Sequence, residues 1–236
     1  REGVLRGVYV LGENPAMSDP DAHHAREALA KLDHLVVQEI FMTETCYYAD
    51  VILPATAWPE KTGTVTNTDR MVQLGRQALA APGDAKPDLW IIQEIARRMG
   101  LAWNYSGPRD VFNEMRKAMH SIAGITWERL EAESCVTYPC EKEGDPGEPV
   151  VFVDRFPTPT GRAKLVPADI IPAAEQPDKE FPFVLITGRQ LEHWHTGAIT
   201  RRAAVLDAIE PEPVASLHPL DLDAIGAKAG DVITVE

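Results

Sequence analysis

Three short apolar runs rich in β-branched residues fall within the first 57 residues, and the chain between them is too short for most other arrangements. GVYVLGENP (7–15) ends on a Gly-Glu-Asn-Pro turn, HLVVQEIF (34–41) follows a helical stretch, and ADVILPAT (49–56) follows a short polar one. The stretch SDPDAHHAREALAKLD (18–33) offers Ser18 or Asp19 as N-cap and Pro20 in the first turn. Its Ala22, Ala25, Leu29 and Leu32 recur at helical spacing. Strand, helix and strand joined by short connections predict part of a doubly wound α/β domain with a parallel sheet, Rossmann-like, over residues 1–57. Only about a third of such a domain is accounted for, so its other strands are expected upstream.

From Trp58 the pattern changes. EKTGTVTNTDRMVQ (60–73) reads as extended, exposed chain. PDLWIIQEIARRMG (87–100) is a helix with Leu89, Ile92, Ile95, Ala96 and Met99 on one face and Gly100 as its stop. PRDVFNEMRKAMH (108–120) is a second, with Val111, Phe112, Met115 and Met119 inward, and EKEGDPGEPV (141–150) is the best linker candidate. Residues 58–150 are thus expected to join two domains. Beyond them VVFVDRF, GRAKLVP and FPFVLITG read as strands, and ASLHPLDLDAIGAKAGDVITVE as a strand, a short helix over Asp221–Gly226, a turn at Ala229–Asp231 and a last strand. Residues 151–236 are expected to begin a mostly β domain, truncated before it closes.

Composition removes several functions. The net charge of −13, with no basic block, argues against nucleic acid, whose binding needs clustered Lys and Arg. Three cysteines without a C-x-x-C pair cannot build a zinc ribbon or an iron–sulfur cluster from this chain alone. Cys135 and Cys140 are open to two readings, a disulfide or reduced thiols. No apolar run reaches the roughly 20 residues of a membrane helix, and no signal peptide is visible. Membrane insertion is therefore not expected, and a cytoplasmic protein is. The chain opens without Met and stops within GDVITVE, which reads as a piece of a longer protein.

Two regions carry chemistry. Gly12 and Asn14 lie where a strand end and the following helix N-terminus can approach an anion, although an ordinary Asn-Pro turn explains them equally well. Gln38 and Glu39 end the next strand, where an acid can grip ribose hydroxyls or merely face solvent. Asp69 can accept two N–H groups of a guanine or pair with Arg70. In LITGRQLEHWHTGAITRR (185–202) the Arg189 fork leaves a strand end and suits a phosphate. His193 and His195 alternate around Trp194 and are expected to project to one side. No third metal ligand stands near them, so contacts to a large heterocycle or its phosphates are the better reading; a polar loop around a buried Trp is the other. No catalytic group is assignable: there is no Walker loop and no Ser/His/Asp arrangement.

In order, GENP, VVQEIFMTETCYYADVILPATAWPEKTGTVTNTDR, LITGR, HWHTGAITRR and HPLDLDAIGAKAGDVITVE resemble the C-terminal part of formate dehydrogenase catalytic subunits, within the molybdopterin oxidoreductase family. The resemblance covers essentially the whole chain, and the wording of residues 191–202 is most similar to soluble, NAD-linked members. It implies a molybdenum or tungsten ion held by two molybdopterin guanine dinucleotides, one against the doubly wound domain and one against a C-terminal barrel of double-psi type. Gly12, Asn14, Gln38, Glu39 and Asp69 match the first region; Arg189, Gln190, His193, His195 and Thr196 match the second. It also implies a parent that oxidises formate to carbon dioxide. The metal's cysteine or selenocysteine ligand and an iron–sulfur cluster would lie in an N-terminal part outside this chain, and separate subunits would carry electrons onward. The fragment alone is expected to be inactive. Two alternatives stand beside this: another family member such as a nitrate reductase, or a cofactor-free structural subunit of respiratory NADH dehydrogenase. Retention of Arg189, His193 and Asp69 favours a binding role.

Overall fold

A computed structural model describes residues 3–235. Gly7–Leu11 (β1), His34–Glu39 (β2) and Val51–Pro54 (β3) form a parallel sheet in the order β1-β2-β3, as their short β-branched runs predict. Val8 pairs with Leu35, Val10 with Val37, and Val37 with Ile52. Side chains alternate across a strand, so one face gathers Val10, Leu35, Val37 and Cys46 into a core, with Leu29, Leu32 and Tyr48 packed against it.

The first helical stretch is broken in two. Pro15–Ser18 (α1) is a single turn, and Ala22–Leu29 (α2) begins later than the expected Ser18 or Asp19 cap. The cause is Pro20: the residue before a proline is driven out of the helical region, and Asp19 is extended at φ −73°, ψ 142°. Asp21 caps α2 instead, its carboxylate accepting from the His24 N–H at 3.2 Å.

The stretch expected as exposed chain is a hairpin. Gly63–Thr66 (β4) and Met71–Gly75 (β5) pair antiparallel, and Cys135–Thr137 (β6) adds to β5. Asp88–Arg98 (α3), Pro108–Ala118 (α4) and Trp127–Glu133 (α5) follow the hairpin in the chain. A second core joins Val72, Phe112, Ile122, Ile125, Trp127, Leu130, Val136 and Cys140. In α3 the buried residues are Ile91 and Ala96, while Ile92 and Met99 are exposed; in α4 Phe112 is buried, but Met115 and Met119 face solvent. The three cysteines are free.

Residues 141–150 are not a free linker. Arg129 Nη1 donates to the Asp145 carbonyl (2.7 Å), and Arg70 donates to the carbonyls of Glu148 (3.0 Å) and Pro149 (2.8 Å). A Cβ on Gly147 would sit 2.0 Å from the Thr137 carbonyl oxygen. This strap belongs to a compact unit, Arg1–Val184, and Leu185–Glu236 is a second.

The strands expected over 150–156, 161–167 and 181–188, and the terminal one, do not form, so no barrel-like domain is seen over the described residues of 151–236. Their apolar side chains stay in water: Leu165 is 90% exposed and Ile186 83%. A strand needs a neighbouring backbone along its length; among the described residues these runs have isolated bonds, such as Phe156 N–H to the Gly161 carbonyl at 3.0 Å, and no ladder. The second unit instead holds a 3-10 turn at Thr200–Arg202 and the helices Ala204–Ile209 (α6) and Pro219–Ala224 (α7).

Candidate functional site

Ligands of open parallel sheets bind beyond the carboxyl ends of the strands. Gly12 follows β1 there with φ +64°, and a Cβ would meet nothing within 4 Å, so the turn rather than crowding demands glycine. Its N–H donates to the Gln38 carbonyl at 3.0 Å. Asn14 is buried as the N-cap of α1. Its Oδ1 accepts from the Thr45 hydroxyl (2.8 Å) and N–H (3.2 Å), and its Nδ2 donates to Glu44 (2.7 Å). The amide therefore ties the β1 turn to the segment leading into β3.

Gln38 is only 1% exposed, and both ends of its side chain are engaged. The Tyr9 hydroxyl donates to Gln38 Oε1, and Gln38 Nε2 donates to Asp88 Oδ1 at 2.6 Å. Asp88, the first residue of α3, pairs through Oδ2 with Lys61, whose ammonium also reaches the Thr56 carbonyl at 3.1 Å. A polar chain thus runs across the strand ends from Tyr9 to Thr56. Burial, and then the negative charge of Asp88, hold the Tyr9 phenol above its ordinary range. The Thr56 hydroxyl is buried without a partner among the described residues, the kind of atom that calls for an explanation. Glu39 turns back on its own chain, accepting from the Ile40 N–H at 2.7 Å.

Asp69 is exposed in the β4–β5 turn, and its Oδ1 accepts from the Met71 N–H at 3.2 Å. The Asp69–Arg70 pair does not form. Arg70, at φ +68°, sends its guanidinium to carbonyls of the strap and to that of Tyr138 (2.7 Å). Asp69 is brought into no contact with the Gln38 chain.

In the second unit much of the polar stretch binds itself. His193 Nε2 lies 2.7 Å from the Glu210 carbonyl and Nδ1 3.3 Å from the Thr200 hydroxyl, which also accepts from the Trp194 N–H. A carbonyl only accepts, so the proton sits on Nε2 and Nδ1 accepts from Thr200. Arg201 donates to the Pro211 carbonyl (2.7 Å) and lies 3.1 Å from Asp207, while Arg202 donates to the Ala198 carbonyl. The expected one-sided pair of histidines is not formed: His195, at φ +51°, lies against the Trp194 ring with centroids 4.7 Å apart, and Trp194 is exposed. Arg189 and Gln190 are exposed, and Thr196 is half-buried beside the tight turn at Gly197. The three arginines therefore divide into two that tie the loop and one, Arg189, that is open.

Sequence reasoning missed Tyr9, Thr56 and Asp88, and marked Lys61 only as a departure from the EGT-type stretch of the family the chain resembles. Asp88 carried the one available signal, a carboxylate just after Pro87 at a helix start; the link to Gln38 spans 50 residues and has no local signature.

Among known proteins, the family model described as molybdopterin oxidoreductase matches residues 1–98, and that described as "Molydopterin dinucleotide binding domain" matches 183–236. The F420-dependent formate dehydrogenase subunit alpha of Methanocaldococcus jannaschii is 43% identical over 98% of this chain and 34% of its own length. The assimilatory nitrate reductase catalytic subunit of Bacillus subtilis is 35% identical over 92% of the chain and 32% of its own length. In three dimensions, acetylene hydratase from Pelobacter acetylenicus matches 96% of this chain and 33% of its own, with a TM-score of 0.67 and 25% identity. The chain thus spans about a third of the length of these relatives.

Proposed function

The chain belongs to the molybdopterin oxidoreductase family, and on that premise we propose that it is the cofactor-cradling part of a formate dehydrogenase alpha subunit. The cofactor is taken to be a pair of molybdopterin guanine dinucleotides with molybdenum or tungsten. When bound, it supplies the two-electron chemistry that converts formate to carbon dioxide. The present residues hold and orient it; an iron–sulfur cluster and electron-transfer subunits belong to the parent enzyme, which we place in the cytoplasm. Residues 1–57 would serve one dinucleotide, residues 58–150 join the two domains, and residues 151–236 would serve the other, within a β domain of double-psi type once partner strands are present.

The observation that carries this reading is the open Arg189 fork, with Gln190 beside it, in a loop whose other two arginines are spent on carbonyls. A planar, always-charged fork left in solvent suits a phosphate. His195 and Thr196, later in the same stretch, would add polar contacts. On the sheet side the donor set also fits such a group: the left-handed turn at Gly12 gives close backbone access, and the Thr56 hydroxyl lacks a partner. Formate dehydrogenase is preferred to nitrate reductase on identity, 43% against 35%.

The test uses the intact enzyme. Arg189→Ala should lower metal and guanine content in parallel, because a charge-assisted phosphate contact is lost. Unchanged content with unchanged formate-dependent dye reduction would show that Arg189 is only a surface residue. The chain expressed alone should reduce no dye with formate.

A further inference from the structure

Resting on the dinucleotide reading above, we infer that Tyr9 is a fixed aromatic platform for a planar heterocycle of the cofactor, and that Gln38, Asp88 and Lys61 are the positioning residues that hold it. The cleft at the end of β1, about 360 Å³, is lined by Tyr9, Leu11, Glu13, Pro15, Ser18 and Asp19 among others. Tyr9 is 41% exposed, yet its hydroxyl is tethered to the fully buried Gln38. An exposed ring whose far end is anchored loses little freedom on stacking, which lowers the entropic cost of binding.

The anchor is itself held. Gln38 reaches Asp88 at 2.6 Å, and Asp88 is paired with Lys61, so the amide can present only its oxygen to the phenol. Gln38 and Tyr9 therefore differ in what they present to the cleft. Gln38, with both ends of its amide engaged, offers nothing to a ligand, whereas Tyr9 offers a face. The rest of the cleft favours a base over a phosphate. Glu13 and Asp19 are exposed carboxylates, which accept from ring and amino N–H groups and repel phosphate oxygens.

The experiment uses the purified holoenzyme and follows release of guanine dinucleotide on dilution, with content per subunit as the starting point. A wild-type enzyme that contains no such dinucleotide overturns the underlying reading, and this inference with it. Where the dinucleotide is present, Tyr9→Leu should speed its release roughly tenfold, the size of one lost base–aromatic stack. Tyr9→Phe keeps the face and should stay within about threefold of wild type, the hydroxyl tether contributing one ordinary hydrogen bond. Asp88→Ala acts through the same tether and should release the dinucleotide no faster than Tyr9→Phe, with Asp88→Asn restoring retention, because an amide oxygen still accepts from Gln38; release from Asp88→Ala as fast as from Tyr9→Leu overturns the positioning role. Release at the wild-type rate from Tyr9→Leu overturns the platform with the dinucleotide reading intact; so does equal loss from Tyr9→Phe and Tyr9→Leu. Should Tyr9→Leu fail to fold, Tyr9→Trp decides: its larger face should retain the dinucleotide at least as well as tyrosine, and faster release overturns the proposal.

Discussion

HLVVQEIF (34–41) and FPFVLITG (181–188) are nearly interchangeable as text, and they end in opposite states. The first supplies β2, paired on both sides by β1 and β3, with Leu35 and Val37 at the centre of a core. Among the described residues the second forms no strand pairing, and Leu185 and Ile186 stand in water. Apolar, β-branched content therefore sets what a segment can become; a neighbouring backbone decides whether it does.

The largest expected effect sets these two segments against each other. Leu35→Ala should destabilise the chain by about 2–5 kcal/mol, the range for a buried leucine, while Ile186→Ala should stay within about 0.5 kcal/mol. Denaturant midpoints measure both. A comparable loss at Ile186 would mean that residues 181–188 are packed in solution and would end the contrast.

A second pair sharpens it with glycines, both left-handed. Gly147 (φ +83°) faces the Thr137 carbonyl, whereas Gly161 (φ +71°) has only the Arg155 side chain, 3.8 Å away. Gly147→Ala should cost about 2–4 kcal/mol, from backbone overlap added to the conformational penalty; Gly161→Ala should cost about 1–2 kcal/mol, from conformation alone. Equal values from thermal melts would show that the strap is no tighter than the chain after it.

The smallest effect lies on the ordered side. The Tyr9 phenol titrates above its unfolded value, so its contribution is complete below pH about 10 and is lost as pH rises through the folded-state value. Tyr9→Phe should lower stability near neutral pH by about 1 kcal/mol and flatten its decline in alkali. A decline as steep in the variant as in the wild type would assign the alkaline loss to other groups.

These contrasts explain what could be read beforehand. The parallel sheet was legible because three β-branched runs and one helical period fall within 57 residues, leaving one plausible winding. The stretch over 63–75 was legible as extended chain but its pairing was not, because its glycine and threonines show no apolar alternation and its third strand Cys135–Thr137 arrives some 60 residues later. Asn14 and Gly12 were placed correctly at a strand end, but Asn14's engagement with Glu44 and Thr45 depends on a tertiary approach. His193 and His195 were expected on one side from the alternation of extended chain; the left-handed backbone at His195 removes that alternation. The absence of the expected strands from the described residues of 151–236 follows from the same rule as the opening comparison, because alternation names a face and never names a partner.

The strap over 141–150 has a further consequence, for how the molecule meets changes of solvent. Arg70 and Arg129 reach it through peptide carbonyls, which carry no net charge and do not titrate. Arg116, by contrast, combines a carbonyl of Ala123 with the exposed carboxylate of Glu143. Salt that screens Arg116–Glu143, and the His120–Glu141 contact at 3.3 Å on the same segment, weakens those ties and leaves the carbonyl bonds of Arg70 and Arg129 in place. Some of the clasps on this segment, in effect, are ones that brine leaves shut.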